Sequence, residues 1–299
     1  MPSPATVTER TWNCKDALSW TAGFLERKGD EHPRRSAEWL LGAATGLSRV
    51  EIYAHHDRPL TPQERATLRG LIERRAAGEP LQYVTGEMPF RHLVIRVVPG
   101  VFIPRPETEI LVDAALEAIK DLEQPLVGEV CTGSGCVAVS IAYENPGARV
   151  WTSDVSEPAV EAARRNALYA GVADRVQVFH GDLFSPYLHG LPGSLDLAVA
   201  NPPYIPSTDM PDLPVEVLGF EPHLALDGGP DGLDVARRIA ADAARLLRPG
   251  GTLAIELDES RAAAFAAEIG SAYAGIKVLK DLTGRDRIVV GIKREARQS

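Results

Sequence analysis

Val127-Gly128-Glu129-Val130-Cys131-Thr132-Gly133-Ser134-Gly135-Cys136-Val137-Ala138-Val139 opens as a short apolar run, breaks at a glycine-rich turn and resumes in small residues that suit a helix. A strand passing through such a turn into a helix begins a βαβ unit. The spacing Gly133-x-Gly135-x-x-Ala138 is that of a fingerprint in which glycines permit a tight turn, close approach to a ligand and close helix–strand packing. Asp154 lies 19 residues after Gly135, at the end of Arg149-Val150-Trp151-Thr152-Ser153, where a carboxylate can hold ribose hydroxyls. A nicotinamide dinucleotide would suit this pattern equally, and the glycines could serve packing alone.

Outward from this unit, strands are expected near 127–131, 149–153, 175–179, 195–200, 251–257, 275–280 and 286–293, with helical stretches such as 158–170 and 233–247 between them. That alternation predicts a doubly wound α/β sheet of seven strands closed by a hairpin at Gly284-Arg285-Asp286. Upstream, residues 82–104 take a period of two, with Leu93, Ile95 and Val97 on one face and Val94, Arg96 and Val98 on the other, which predicts a β-hairpin linker. Pro104 and Pro106 stiffen the entry to a helix beginning near Glu107. Residues 1–80 read as a helical bundle, with Thr61-Pro62-Gln63-Glu64 as a helix start and Trp12, Trp20 and Trp39 as expected core. The expected organisation is a helical domain over 1–81, a hairpin linker over 82–106 and an α/β domain over 107–299.

A second motif, Asn201-Pro202-Pro203-Tyr204, follows the apolar run Leu195-Asp196-Leu197-Ala198-Val199-Ala200 and so stands at a strand's C-terminal end, where open α/β sheets bind ligands. Two prolines stiffen the loop and remove two backbone donors, leaving acceptors. An Asn side-chain carbonyl, the Pro202 carbonyl and a Tyr ring together suit a planar NH2 group with two hydrogens to donate and a flat face to stack. A proline-stiffened loop capping a strand is the plain alternative. A dinucleotide does not account for this loop, whereas an adenosine with a ribose and no pyrophosphate fits both motifs, which points to S-adenosyl-L-methionine. Asp182, in Gly181-Asp182-Leu183-Phe184 after Val176-Gln177-Val178-Phe179, is read either as a contact to the adenine amino group or as a helix N-cap.

The run Phe102-Ile103-Pro104-Arg105-Pro106-Glu107-Thr108-Glu109, the turn Thr132-Gly133-Ser134-Gly135, then Asn201-Pro202-Pro203-Tyr204-Ile205, Glu221-Pro222, Ala225-Leu226, Gly228 and Asp231-Gly232-Leu233 resemble the HemK/PrmC family along the whole chain. The resemblance implies a class I, Rossmann-like methyltransferase sheet. It implies transfer of a methyl group from S-adenosyl-L-methionine, leaving S-adenosyl-L-homocysteine, to the N5 nitrogen of the glutamine in the Gly-Gly-Gln motif of class I peptide chain release factors, an activity of translation termination. Carried over residue by residue, it implies a cofactor site at Cys131, Thr132, Gly133, Ser134, Gly135, Asp154, Asp182, Leu183 and Asn201. It implies substrate binding by Asn201, Pro202, Pro203, Tyr204 and Ile205, with Asn201, Pro202 and Tyr204 at the chemistry. Three positions depart from the family pattern: Cys131 where a glycine is usual, Leu183 where an aromatic can flank the adenine, and Glu256-Leu257-Asp258-Glu259-Ser260-Arg261, which lacks a glycine and a downstream glutamine.

Composition narrows the classes further. The 299-residue chain has 44% apolar and 24% charged residues, ordinary for a globular protein. No apolar stretch approaches the roughly 18 residues of a membrane span, and residues 1–15 lack the apolar core of a signal peptide, so a cytoplasmic protein is expected. Residues 1–90 hold 12 Lys/Arg and 12 Asp/Glu, so the whole net charge of −9 falls on residues 91–299. Such a field opposes binding to nucleic-acid phosphates and favours a protein substrate. Arg65, Arg69, Arg74 and Arg75 read as a solvated helix face. Cys14, Cys131 and Cys136 read as reduced, small buried residues with no metal. Asp209 and Glu221 are close enough to the Asn201 loop for a supporting role, or else serve as solvation and a structural ion pair.

Overall fold

The computed structural model describes residues 11–187 and 193–295; residues 1–10, part of the expected bundle, lie outside the described residues. The chain divides into two units, residues 1–86 and 87–299.

The first unit contains α1 (Cys14–Arg27), α2 (Pro33–Thr45), α3 (Arg49–Ala54), α4 (Pro62–Ala76) and α5 (Leu81–Thr85). The helix start at Thr61 forms a full capping box: the Thr61 hydroxyl accepts from Glu64 N–H, and the Glu64 carboxylate accepts from Thr61 N–H. Cys14, Leu18, Leu25, Leu40, Leu41, Ile52, Leu68 and Ile72 form the core. Of the tryptophans, Trp12 packs partly buried against this core, while Trp20 and Trp39 are not part of it. Trp20 is 47% exposed and stacks on Phe24, Trp12 meets Trp20 edge-on, and Trp39 lies under Arg35. Leu and Ala, which fit between close-packed helices, take the interior instead. Arg74 and Arg75 are not simply solvated: Arg74 pairs with Glu79, and Arg75 with Asp30 at 2.8 Å.

The second unit opens with an antiparallel hairpin, β1 (Glu87–Phe90) and β2 (Leu93–Arg96). It is shorter than the period-two pattern suggests, because residues 81–85 wind into α5 and Gly86 ends that helix at φ +79°. Ile95 and Val97 are buried while Val94 and Val98 are exposed, as the alternation requires. After α6 (Thr108–Ile119) come β3 (Leu126–Val130), α7 (Cys136–Glu144), β4 (Arg149–Asp154), α8 (Glu157–Tyr169), β5 (Val176–His180) and β6 (Leu195–Ala200). The short α9 (Val215–Phe220) precedes α10 (Asp234–Leu246), β7 (Leu247–Glu256), α11 (Glu259–Glu268), β8 (Tyr273–Lys280) and β9 (Asp286–Lys293).

The seven long strands form one sheet in the order β5-β4-β3-β6-β7-β9-β8. The first five pair in parallel, and β9 runs antiparallel to both β7 and β8. This is the sheet of a class I methyltransferase. Its central strands are buried on both faces, which is why they read as mostly apolar runs, broken only by Glu129 in β3 and Asp196 in β6. The chain leaves β3 toward β4 and β5 on one side and returns at β6 on the other. That reversal opens a crevice beyond the C-terminal ends of β3 and β6, between the glycine-rich turn and the Asn201 loop.

Candidate active site

A cavity of about 350 Å³ fills this crevice, lined among others by Cys131–Ser134, Asp154, Asp182, Leu183 and Asn201–Ile205. It thus brings together every site residue expected from sequence except Gly135, which lies just behind the turn.

The turn after β3 is held from several sides. Cys131, Gly133 and Gly135 all have left-handed backbones, at φ +58°, +54° and +81°. Cys131 therefore bears the strain that a glycine would avoid. At Gly135 a Cβ would come within 2.9 Å of Ala163 Cα and Cβ, so its absence lets α8 press against the turn. At Gly133 the nearest atom to a Cβ would be Phe102 Cβ at 3.9 Å, leaving open space over the backbone. Buried Asn166 donates to Ser134 O (2.8 Å) and Arg96 O (2.9 Å) and accepts from Arg96 N–H, tying the turn to the end of β2.

Two carboxylates flank the turn. Asp154 accepts from Gly133 N–H and Ser156 N–H, each at 2.9 Å, and burial raises its pKa against these bonds. Glu129 accepts from Thr132 Oγ1 at 2.6 Å and from Thr152 Oγ1, and burial pushes it up to about 7. Burial likewise pushes the Cys136 thiol up to about 12 and the Cys131 thiol well above its ordinary value, so neither is a ready thiolate. Asp182 neither caps a helix nor stands free: residues 183–187 form turns, and its side chain pairs with Arg238 at 2.5 Å. Leu183 has φ +47°, and its carbonyl accepts from Ser153 Oγ.

Across the crevice, Asn201 donates through Nδ2 to Thr108 Oγ1 at 3.0 Å. Because Nδ2 is engaged there, Oδ1 is the end of the carboxamide left to face a ligand. Pro202 is buried, Tyr204 is half-buried, and burial raises the Tyr204 pKa. The loop is fixed by a second loop lying along it. Ile205 N–H donates to Leu226 O (2.9 Å), Gly228 N–H to Ile205 O (2.8 Å) and Ser207 N–H to Gly229 O (2.9 Å). A Cβ at Gly228 would lie 2.8 Å from Pro203 O and Tyr204 Cα, which explains a glycine there.

The outer wall uses residues that local sequence reasoning did not place. Arg105 stacks over Phe102 at 4.7 Å and pairs at 2.5 Å with Glu221, whose other oxygen accepts from Ile103 N–H. Glu221 is thus a structural partner, while Asp209 is exposed and bonded by Thr208 Oγ1. Leu213, Val217 and Leu224 complete an apolar rim. Thr108, Arg105 and Glu221 all fall within the motifs quoted from the sequence, but their partners are far away along the chain. Among the described residues there is no cluster of His, Cys, Asp and Glu able to hold a metal, and no helix long and apolar enough to cross a membrane.

Comparisons with known proteins agree with this architecture. Residues 16–86 match the family described as PrmC N-terminal domain, and residues 95–213 match the Methyltransferase small domain. A release factor glutamine methyltransferase of Moorella thermoacetica is 44% identical over 94% of this chain and 99% of its own length. Its counterpart in Geobacter sulfurreducens is 42% identical over 94% and 96%. The catalytic domain of hMettl16, solved with an RNA hairpin, superposes with a TM-score of 0.55 at 14% identity, covering 76% of this chain and 83% of that one, a likeness of fold alone.

Proposed function

This chain belongs to the release factor glutamine methyltransferase family, and we propose that it transfers the methyl group of S-adenosyl-L-methionine to the N5 nitrogen of the glutamine in the Gly-Gly-Gln motif of class I peptide chain release factors. The observation that carries the reading is the Asn201-Pro202-Pro203-Tyr204 loop. It sets an acceptor-only edge on the same cavity as the glycine-rich turn.

The residues present fit the cofactor. The open space over Gly133 admits a ligand against the backbone, and Thr132 and Ser134 border it. Asp154 uses one lone pair of each oxygen on a backbone amide and keeps others for ribose hydroxyls. Leu183 and Asp182 would border the base, Asp182 with Arg238 attached. When bound, the cofactor supplies an electrophilic methyl group on a sulfonium.

A carboxamide nitrogen is a poor nucleophile because its lone pair is delocalised into the carbonyl, so positioning must supply much of the rate. Asn201 Oδ1 and the Pro202 carbonyl accept the two amide hydrogens, turn the nitrogen lone pair toward the methyl and favour a pyramidal nitrogen. Tyr204 packs on the flat face of the amide, and Ile205 and Pro203 hold that loop in register. As the nitrogen–carbon bond forms, the nitrogen becomes acidic and its proton leaves along one of these bonds to water. No strong general base is needed, in keeping with a loop that carries none.

A single glutamine side chain offers little surface for selection. The N-terminal unit therefore serves as the recognition module for the release factor, its remote binding energy appearing in turnover as well as in affinity. The test is methyl transfer from labelled S-adenosyl-L-methionine to purified release factor, ribosomal protein and DNA in parallel, with mass spectrometry of the modified residue. Label on the Gly-Gly-Gln glutamine of the release factor is expected. Label only on ribosomal protein or on a nucleobase would refute the assignment.

A further inference from the structure

The mechanism gives no role to the buried carboxyl of Glu256. Glu256, the last residue of β7, is 1% exposed, and its Oε2 has no hydrogen-bond partner. Burying a carboxyl with an unsatisfied oxygen is costly, so a purely structural role would be better filled by an apolar residue. Two side chains face it as donors, Thr108 and Asn201. The same two side chains are bonded to each other, Asn201 Nδ2 to Thr108 Oγ1.

The geometry points to Glu256 as the positioning residue that decides which end of the Asn201 carboxamide faces the substrate. The proposal rests on the reading of Asn201 Oδ1 as the acceptor for the substrate amide, and adds what holds it there. The Thr108 hydroxyl has one proton to give. With Glu256 ionised, that proton goes to the carboxylate. Thr108 Oγ1 then has only lone pairs to offer Asn201, which must turn Nδ2 toward it and leave Oδ1 in the cavity. With Glu256 protonated, its own O–H donates to Thr108 and the relay reverses. The threonine proton then turns to Asn201, Oδ1 rotates inward to meet it, and the NH2 end faces the substrate NH2, donor against donor.

The midpoint of this exchange lies in a useful range. Burial, with the charge of Glu107, raises Glu256 while Thr108, Arg287 and Asn201 lower it, leaving it at about 7. Glu107 precedes α6 and Arg287 lies on β9; Cys136 on α7 and Tyr204 after β6 are the titratable groups that feel its charge in turn. The buried residues of α10 are Ala236, Ile239, Ala240, Ala243 and Leu246 and those of α11 are Ala262 and Phe265, all uncharged, while Arg261 on α11 has its Nε buried and lowers Asp258, two residues from Glu256. The active form is the ionised one. Transfer should therefore rise about tenfold between pH 6 and pH 8.

The test is single-turnover methyl transfer by the intact chain from pH 5.5 to 9, at saturating S-adenosyl-L-methionine. Glu256→Gln is nearly isosteric and its amide can donate or accept, so it no longer dictates the relay's direction. The variant should lose the inflection near pH 7 and about tenfold of the high-pH rate, with cofactor affinity within about threefold of wild type. Thr108→Ser should keep the inflection that Thr108→Val loses. Glu129 titrates in the same range, so the difference between wild type and Glu256→Gln carries the result. A second readout needs no turnover: the 15N shift of the Asn201 side-chain amide, assigned by its loss in Asn201→Ala, should titrate near pH 7 in wild type and not in Glu256→Gln. An Asn201 resonance unmoved by pH, or a Glu256→Gln variant that keeps the inflection, overturns the proposal. A wild-type chain that transfers no methyl would instead refute the functional reading, with the NMR titration still deciding this one.

Discussion

Replacing Gly135 by alanine adds one methyl group at the point where the cofactor turn meets α8, and the structure separates the two costs it incurs. The first is backbone strain, since φ is +81° and an L-residue held in the left-handed region loses about 1–2 kcal/mol. The second is steric: the new Cβ would lie 2.9 Å from both Cα and Cβ of Ala163, so the turn or the helix must shift, at about 1–3 kcal/mol. Reduced freedom of the unfolded chain returns about 0.4–1 kcal/mol, leaving a net loss of about 1–5 kcal/mol. Gly171, just after α8, is the matched control, with φ +70° and nothing within 4 Å of its would-be Cβ. Gly171→Ala should lose only about 1 kcal/mol. Chemical denaturation of both variants under one set of conditions gives the difference between them, the steric part alone. Titration calorimetry adds a functional reading, because a displaced turn misplaces Thr132, Gly133 and Ser134. Cofactor affinity should fall at least about tenfold in Gly135→Ala and stay within about threefold in Gly171→Ala, which is about 1.4 kcal/mol against less than 1. Equal stability of the two variants, or wild-type cofactor binding by Gly135→Ala, would refute the view that this glycine is required by packing against Ala163.

Asn201→Ala removes one of the two orienting acceptors and should lower turnover roughly ten- to a thousandfold, while calorimetry still shows cofactor binding; near-normal turnover would exclude the role. Asp154→Ala should weaken S-adenosyl-L-methionine and S-adenosyl-L-homocysteine alike, by about tenfold to a hundredfold for a lost charge-assisted bond, and unchanged binding of both would put the ribose elsewhere. Arg105→Met leaves Glu221 buried without its partner; allowing for the 31% exposure of Arg105, the loss should be about 2–3 kcal/mol in denaturation, with much of it recovered by adding Glu221→Gln. Glu256 has its pKa raised from 4.5 to about 7, so the stability it contributes is present below pH 4.5 and lost as pH rises through 7. Relative to wild type, Glu256→Gln should therefore gain stability by up to about 3 kcal/mol between pH 4.5 and pH 8, and a difference that does not vary with pH would contradict the buried, raised carboxyl.

The features legible in the sequence are those set by neighbours along the chain. The glycine-rich turn, Asp154 at the end of the next strand and the Asn201 loop after an apolar run were readable because strand–turn–helix geometry is local and the C-terminal sheet edge follows from parallel topology. The capping box at Thr61 is equally local. Trp20 and Trp39 of the first unit lie outside the core because burial depends on which helices meet, and large rings yield close-packed interfaces to Leu and Ala. Residues 82–85 fall in the stretch expected to be strand-like yet wind into a helix, since so few residues carry too little periodicity to outweigh their surroundings. Only tertiary structure could bring Thr108 to Asn201 across 93 residues, or Arg105 to Glu221 across 116. Those pairings decide how a polar group is satisfied once water is excluded, and that depends on which segments the sheet draws to one edge. The residue types and the glycine-rich turn were set by the chain's order, whereas the bond from Asn201 Nδ2 to Thr108 Oγ1 exists only because the fold sets those residues side by side.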